Sequence, residues 1–173
     1  MSTIEMDQRS AILTVLARAV TRDYLLDAGD VASLRRMDPR KPEAAFFKLE
    51  GLFLDPILPG DAAAREDAES RWAAVVVGFA VLGSLNDPAR RLGRALAEAG
   101  FSEFRFARLL RADTERLLDE IPALARYLAA KGVRADWAAA AGLVLSAERG
   151  DEERVRRHVA RDYYGALARA DKT

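Results

Sequence analysis

Arginine is concentrated in one stretch of this 173-residue chain, residues 90–111, which contains only two acidic residues. Its six arginines are Arg90, Arg91, Arg94, Arg105, Arg108 and Arg111. Guanidinium groups form paired hydrogen bonds with phosphate oxygens, so this stretch indicates a polyanionic ligand. The formal net charge of zero conceals the asymmetry. Residues 1–86 carry ten basic and thirteen acidic residues, whereas residues 87–173 carry seventeen and fourteen.

Two stretches of helical periodicity each place arginines and an aromatic residue on one face, at about 100° per residue. The outward residues of the first stretch are Arg105, Arg108, Arg111 and Phe104, and those of the second are Arg154, Arg157, Arg161 and Tyr164. This combination is typical of single-stranded nucleic acid binding, in which guanidinium groups contact phosphates and a ring stacks on bases. The alternative is a solvated face whose arginines pair with nearby acids such as Glu98 and Glu103.

Catalytic chemistry has no support in the residue types. The chain has no cysteine and one histidine, His158, near which no nucleophile with a supporting carboxylate can be named. These residues are too few for most metal sites, and no glycine-rich phosphate loop occurs. The acids at 151–153 are typical of a helix start, where they complement the helix dipole. We therefore expect no enzyme activity, no cofactor and no bound metal.

Neither a secretory signal nor a membrane span is predicted. The first ten residues lack the basic and apolar regions of a signal peptide. The longest apolar run, residues 72–85, is about half as long as a membrane span and is predicted to be a helix buried on nearly all sides. With no cysteine for disulfides, the chain fits the reducing cytoplasm.

The periodicity of the apolar residues predicts an all-α fold. Apolar residues recur at intervals of three and four, and no segment alternates as a strand does. Loop residues at 84–88 mark a boundary between two small helical bundles packed in tandem, residues 1–86 and residues 87–173. In the second bundle, the predicted helices cover residues 88–99, 102–112, 114–131, 136–148 and 151–167.

Capping residues and prolines predict where several helices begin and end. Asp30 is predicted to cap a short helix, and Asp87 to cap a helix that Pro88 opens. Pro122 is predicted to kink or divide the helix at 114–131, because proline lacks the backbone donor that a helix interior needs.

The sequence neighbours of the large aromatic residues predict which of them are buried and which are exposed. Trp72 and Trp137 are flanked by apolar residues and are predicted to anchor the core. Tyr163 shares a helix face with Val159 and is also predicted to be buried, whereas Tyr164 is predicted to be available for stacking or for a partner surface.

Several segments, in order, resemble the small subunit of the type I-E CRISPR Cascade complex, the CasB family. The similar segments of the second half are LGRALAEAG at 92–100, RFARLLRAD at 105–113, the pair Asp136 and Trp137, and RRHVARDYYGAL at 156–167. In the first half, GDVASLRRMDP at 29–39 and AFFKL at 45–49 resemble that family's N-terminal segment. The specificity of the resemblance lies in the order and spacing of the segments.

The resemblance implies a two-domain, all-helical, non-enzymatic subunit of a guide-RNA-bound surveillance complex. It implies contacts with the repeating backbone subunits, with the large subunit and with a second copy of the chain. It also implies a basic surface that helps hold the guide RNA and target DNA hybrid region and the displaced non-target strand. The arginines of the matching segments are Arg35, Arg36, Arg94, Arg105, Arg108 and Arg111, followed by Arg157 and Arg161.

Two alternatives stay open at the level of the sequence. Arg94, which is flanked by apolar residues, is equally well placed to bridge the two bundles through Asp113 or another buried acid. The whole chain is alternatively a helical adaptor protein whose arginines contact acidic protein surfaces. Only the nucleic-acid-binding function predicts salt-sensitive binding to arbitrary single-stranded DNA.

Overall fold

Helices dominate the secondary structure of the described residues, which contain no strand beyond one isolated β-bridge, and this confirms the all-α class. The computed structural model describes residues 3–21, 25–146 and 150–172, with side chains from residue 8 onward. Within these ranges the α-helices are α1 (Thr3–Ala19), α2 (Ala28–Arg36), α3 (Ala44–Leu49), α4 (Ala62–Leu82), α5 (Leu92–Glu98), α6 (Glu103–Leu110), α7 (Thr114–Ala130), α8 (Trp137–Leu145) and α9 (Glu152–Ala170). A π-helical turn (Glu50–Leu54) follows α3, and short 3-10 turns cover Asp55–Ile57 and Gly83–Leu85.

The central element of the fold is α4, which is buried on every side in its second half. Asp61 caps this helix and accepts a hydrogen bond from the Ala64 backbone N–H at 2.9 Å. α7 is its main packing partner, and α2 and α8 lie beside it. Residues Ala62–Leu85 are long and apolar enough to span a bilayer by composition, but 67% of the apolar window is buried inside the protein. The predicted buried helix is therefore confirmed as the core of the fold.

One hydrophobic core includes residues from both sides of residue 86. Backbone pairing also joins the two sides. The Ala135 N–H donates to the Leu85 carbonyl at 3.1 Å, and the Asp87 N–H donates to the Ala135 carbonyl at 3.0 Å. The Trp137 backbone N–H donates to Asn86 Oδ1 at 3.1 Å. The helices before and after residue 86 thus share one core, and the division into two bundles stays a prediction.

The N-cap of the second helix lies three residues before the predicted one. Asp27 is the N-cap, and its carboxylate accepts a hydrogen bond from the Asp30 N–H at 2.8 Å. Asp30 returns the contact by accepting from the Asp27 N–H at 3.3 Å. The prediction that Asp30 is the cap is therefore wrong. Asp30 instead completes a reciprocal capping box from within the first turn, where an acid also complements the helix dipole.

The predicted helix start at Asp87 and Pro88 is also wrong. Asp87 and Pro88 begin a turn rather than a helix, because the Arg90 N–H donates to the Asp87 carbonyl at 2.9 Å and the Arg90 carbonyl accepts from the Asp136 N–H at 2.7 Å. α5 begins only at Leu92. Pro122 is buried inside α7, which runs unbroken from Thr114 to Ala130, so this proline does not divide the helix.

Arg40, in the loop before α3, connects the first half of the chain to α7. Its Nε lies 2.6 Å from Glu115 Oε1, and its two terminal nitrogens lie 2.8 and 3.1 Å from the carboxylate oxygens of Asp119. A further hydrogen bond reaches the Glu115 carbonyl at 2.9 Å. The hydrogen bonds from Arg40 lower the pKa of Asp119 below its usual value. The bidentate geometry makes this a specific clamp between the loop and α7.

The Arg40 clamp predicts a pH-dependent contribution to stability. Because the folded-state pKa of Asp119 is lowered, the contribution is present at neutral pH and is lost as the pH falls through that pKa. Asp119 is 70% exposed, so solvent screening limits the effect of Arg40→Gln to about 1 kcal/mol or less at neutral pH. Urea unfolding at several pH values should show this difference shrinking in acid. A difference that stays constant, or one reproduced by the neighbouring control Lys41→Gln, would contradict the assignment.

Candidate nucleic-acid interface

Five of the eight predicted arginines lie in α5, α6 and α9, and a sixth, Arg111, is the C-cap of α6; α9 packs on α5 and contacts α6. α5 crosses α9 at Gly93, where a side chain would collide with the α9 backbone. α6 is fixed to α9 by the rings of Phe106 and Tyr163, which stack at 3.8 Å and 12°. The Tyr163 hydroxyl donates to the Phe101 carbonyl at 2.5 Å, just before α6. The three helices therefore form one structural unit.

α6 separates its apolar and basic residues as the sequence predicts. The Ser102 hydroxyl caps the helix by accepting from the Arg105 N–H at 3.4 Å. Phe106 and Leu109 are buried, whereas Phe104 is 79% exposed. The three arginines of this segment, Arg105, Arg108 and Arg111, are all exposed. The predicted outward face is confirmed.

Each arginine of α6 has a different environment. Arg105 lies over the rings of Phe101 and Tyr127, with its Cζ 5.7 Å from both ring centroids, which is cation–π distance. Arg108 Nη2 lies 2.9 Å from Glu120 Oε1 on α7. Within the described part of the chain, Arg111 has no carboxylate at ion-pair distance. Arg111 is therefore the cation of α6 that is most available to a phosphate.

The predicted arginines of α5 and α9, which are Arg94, Arg157 and Arg161, are exposed, and two of them form ion pairs within their own helices. Arg94 Nε lies 2.7 Å from Glu98 Oε1, and Arg157 Nε lies 2.7 Å from Glu153 Oε1. Arg161 has no acidic partner among the described residues. Such exposed pairs are weak, so a phosphate can compete for the arginine.

The alternative role for Arg94 as a buried bridge is wrong. Its side chain is 54% exposed and contacts the acid one turn ahead of it. Asp113 instead caps α7, where its carboxylate accepts a hydrogen bond from the Arg116 N–H at 2.9 Å. The apolar neighbours of Arg94 belong to the buried face of α5, and Arg94 itself lies on the other face.

Arg35 and Arg36 lie apart from the other six, in the last turn of α2, which packs mainly on α4 and α3. Arg35 Nε donates to the Ala80 carbonyl at 2.9 Å, so part of its guanidinium group serves the fold. Its backbone carbonyl accepts from Arg126 Nη2 of α7 at 3.2 Å. Arg126 is an exposed cation that the sequence analysis did not single out. Its position opposite the apolar face of α7 was the available signal.

A second group of cations lies where α5 begins. Arg90, Arg91 and Arg94 line a shallow cleft of about 120 Å³. Arg91 Nη1 lies 3.0 Å from Asp162 Oδ1 on α9, and the exposed His158 lies 3.7 Å from the other oxygen of that carboxylate. His158 therefore lies on the surface beside a carboxylate.

The aromatic side chains of this unit are divided between its core and its surface. Burial raises the pKa of the Tyr163 hydroxyl, so Tyr163 stays a neutral hydrogen-bond donor. Trp72, Trp137 and Tyr163 are buried, as predicted, and Tyr164 is 44% exposed. No group of three or more metal-ligating side chains occurs among the described residues. The interface consists of arginines, their carboxylate partners and two exposed rings.

Comparison with known proteins gives one match. Residues 30–164 match the family model of CRISPR-associated protein Cse2, from α2 to within α9. The matched region includes all eight arginines predicted to bind nucleic acid. No curated protein and no solved structure is a significant match. The resemblance seen in the sequence segments is confirmed, and the chain belongs to the family of CRISPR-associated protein Cse2, the small subunit of the type I-E Cascade complex.

Proposed function

We propose that this Cascade small subunit binds nucleic acid without sequence specificity and stabilises the displaced non-target strand of the opened target DNA. The observation that supports it best is that α9 packs on α5 and stacks its Tyr163 on Phe106 of α6, which leaves six predicted arginines on the surface of one unit. Exposed guanidinium groups contact phosphates, which are the same for every base sequence. Base pairing by the guide RNA supplies the sequence recognition.

A small binding free energy for the displaced strand is sufficient for this role. Strand exchange replaces a DNA duplex by an RNA–DNA hybrid of similar stability, so the opened state is close to balance. Each arginine that contacts a phosphate shifts this balance and releases counterions, which makes the contribution salt-dependent. The subunit therefore slows the return of the displaced strand without needing catalytic groups.

The proposal extends to the partners and the location of the chain. We expect contacts with the backbone and large subunits, with guide RNA and target DNA, and with a second copy of the chain. As a subunit of a soluble complex that acts on DNA, it is expected in the cytoplasm. No cofactor is needed for a function that consists of contacts alone.

The proposal predicts that neutralising the α6 and α9 arginines weakens DNA opening. In the triple variant Arg108→Gln, Arg111→Gln and Arg161→Gln, we expect the open state formed by the reconstituted complex to be about 10- to 100-fold shorter-lived. Arg105 is left unchanged because it packs on Phe101 and Tyr127. The lifetime of the open state is measured by the reactivity of unpaired thymines in the displaced strand.

A matched triple, Arg18→Gln, Lys41→Gln and Lys172→Gln, removes equal charge from exposed positions outside α5 and α6 and beyond the end of α9. It is expected to behave as the wild type. Full opening by complexes that contain the α6 and α9 variant would refute the assignment of the interface. Full opening by complexes without the chain, together with no binding of the free chain to single-stranded DNA, would favour the adaptor function.

A further inference from the structure

Phe104 is the most exposed large apolar side chain among the described residues. It is 79% exposed, compared with 55% for Leu52, 49% for Phe47 and 44% for Tyr164. α6 buries Phe106 and Leu109 against the rest of the protein, so Phe104 adds nothing to that packing. In the described part of the chain no other aromatic ring pairs with it. Most of its surface is therefore open to a ligand.

The surroundings of Phe104 are basic. In a helix, residues four apart lie one above the other, so Arg108 follows Phe104 on the same face, and Arg111 continues that line. Arg108 Nη2 lies 2.9 Å from Glu120 Oε1, and Arg111 has no acidic partner among the described residues. Glu103, the adjacent acid, lies about 100° further around the helix. An exposed apolar ring on the same helix face as two arginines suits a ligand that is both aromatic and anionic.

Tyr164 is less suited to this role. Its ring stands edge-on to Phe106 at 5.9 Å and to Tyr163 at 5.2 Å, with interplanar angles of 79° and 89°. Part of its surface is therefore used within the protein, in agreement with its lower exposure. Phe104 has no such contacts, so it presents the larger free ring surface.

We propose, on the basis of the proposed function, that Phe104 stacks on an unpaired base and gives the chain its preference for single-stranded over duplex nucleic acid. Arginine contacts with phosphates are available from both forms, because both expose their backbones. Base faces are available only where a strand is unpaired, since a duplex keeps them stacked inside. A single exposed ring within the basic surface therefore distinguishes the two forms.

The test uses the free full-length chain and fluorescence anisotropy with three probes: a short oligothymidine, a duplex of equal length, and an abasic strand with the same number of phosphates. For Phe104→Ala we expect about tenfold weaker binding to oligothymidine. Binding to the duplex and to the abasic strand should not change. The slope of affinity against salt should also stay the same, because the ring releases no counterions.

Two further variants separate stacking from other effects. Phe104→Leu keeps an apolar side chain without a ring and is expected to lose most of the affinity that alanine loses. Phe47→Ala removes the other strongly exposed phenylalanine, on α3, and is expected to bind as the wild type. Because both positions are exposed, circular dichroism should show unchanged folding.

The outcomes distinguish base stacking by Phe104 from the nucleic-acid binding on which it rests. Wild-type affinity of Phe104→Ala for oligothymidine, or an equal loss on the abasic strand, overturns the stacking role and leaves phosphate binding intact. A wild-type chain that binds none of the three probes at low salt overturns nucleic-acid binding and stacking together. Loss confined to oligothymidine supports both.

Discussion

Trp137→Ala will lower the free energy of unfolding by about 3–5 kcal/mol, which is the range for removing a fully buried large aromatic side chain. Trp137 begins α8 and is completely buried against α4. Its indole N–H donates to the Val75 carbonyl at 3.0 Å, so the substitution also removes a buried hydrogen bond. Urea unfolding followed by circular dichroism measures the change.

The space for Trp137 exists because residue 78 of α4 is glycine. A Cβ atom at Gly78 would lie 2.0 Å from two carbon atoms of the indole ring. Gly78→Ala alone is therefore expected to cost about 1–3 kcal/mol through overpacking. In the Trp137→Ala background the same substitution should cost nothing, because its methyl group enters the vacated space. Additive effects of the two substitutions would contradict this contact.

Gly93→Ala is expected to destabilise the chain by about 2 kcal/mol, because α5 and α9 are in backbone contact at this residue. An added Cβ would lie 2.2 Å from the Val159 carbonyl oxygen and 2.7 Å from the Tyr163 nitrogen. Backbone atoms of a helix cannot rotate away, so the two helices must separate. The expected value includes about 1 kcal/mol that alanine returns through its higher helix propensity.

Gly165→Ala, in α9, is the matched control. Its nearest neighbours would be the Arg169 guanidinium nitrogens at 3.7 and 3.8 Å, so the methyl group has room. This substitution is expected to raise stability by up to about 1 kcal/mol. A Gly93→Ala protein that is as stable as the wild type would show that α5 and α9 do not approach as closely as described.

In α6 and α9 the sequence was sufficient to predict which aromatic residue faces inward. Helical periodicity separates Phe106 from Phe104 and Tyr163 from Tyr164, because each step along a helix turns the side chain by about 100° and two steps turn it by about 200°. The structure confirms both separations. Trp137 was predicted to be buried because its neighbours in the sequence are apolar. That argument does not identify Gly78 as the residue against which Trp137 packs.

Contacts between distant segments could not be predicted in the same way. Arg40 and Asp119 are 79 residues apart, and no local pattern connects them. Pro122 illustrates the same limit, since α7 continues through it although proline disfavours a helix interior. The N-cap was predicted at Asp30 rather than at Asp27 because aspartate is favoured both as an N-cap and in the first turn of a helix.

The exposed arginines of the candidate interface could be predicted from the sequence. The carboxylates that pair with them could be predicted only in part. The pair of Arg94 with Glu98 follows from a spacing of four residues. The pair of Arg108 with Glu120 depends on how α6 meets α7, which a single sequence does not state. The interface residues remain predictions that the DNA-opening experiment tests.

In the proposed function, the ion pairs of the candidate interface would also limit how strongly the free subunit binds a polyanion. Arg94, Arg108 and Arg157 each already have a carboxylate at 2.7–2.9 Å. A phosphate that pairs with one of these arginines would leave a negative group beside the strand, which would retain a cation there and reduce the entropy gained from ion release. The carboxylates would therefore lower the affinity of the free subunit for cellular RNA. Strong binding would require a strand that the assembled complex brings to several arginines at once.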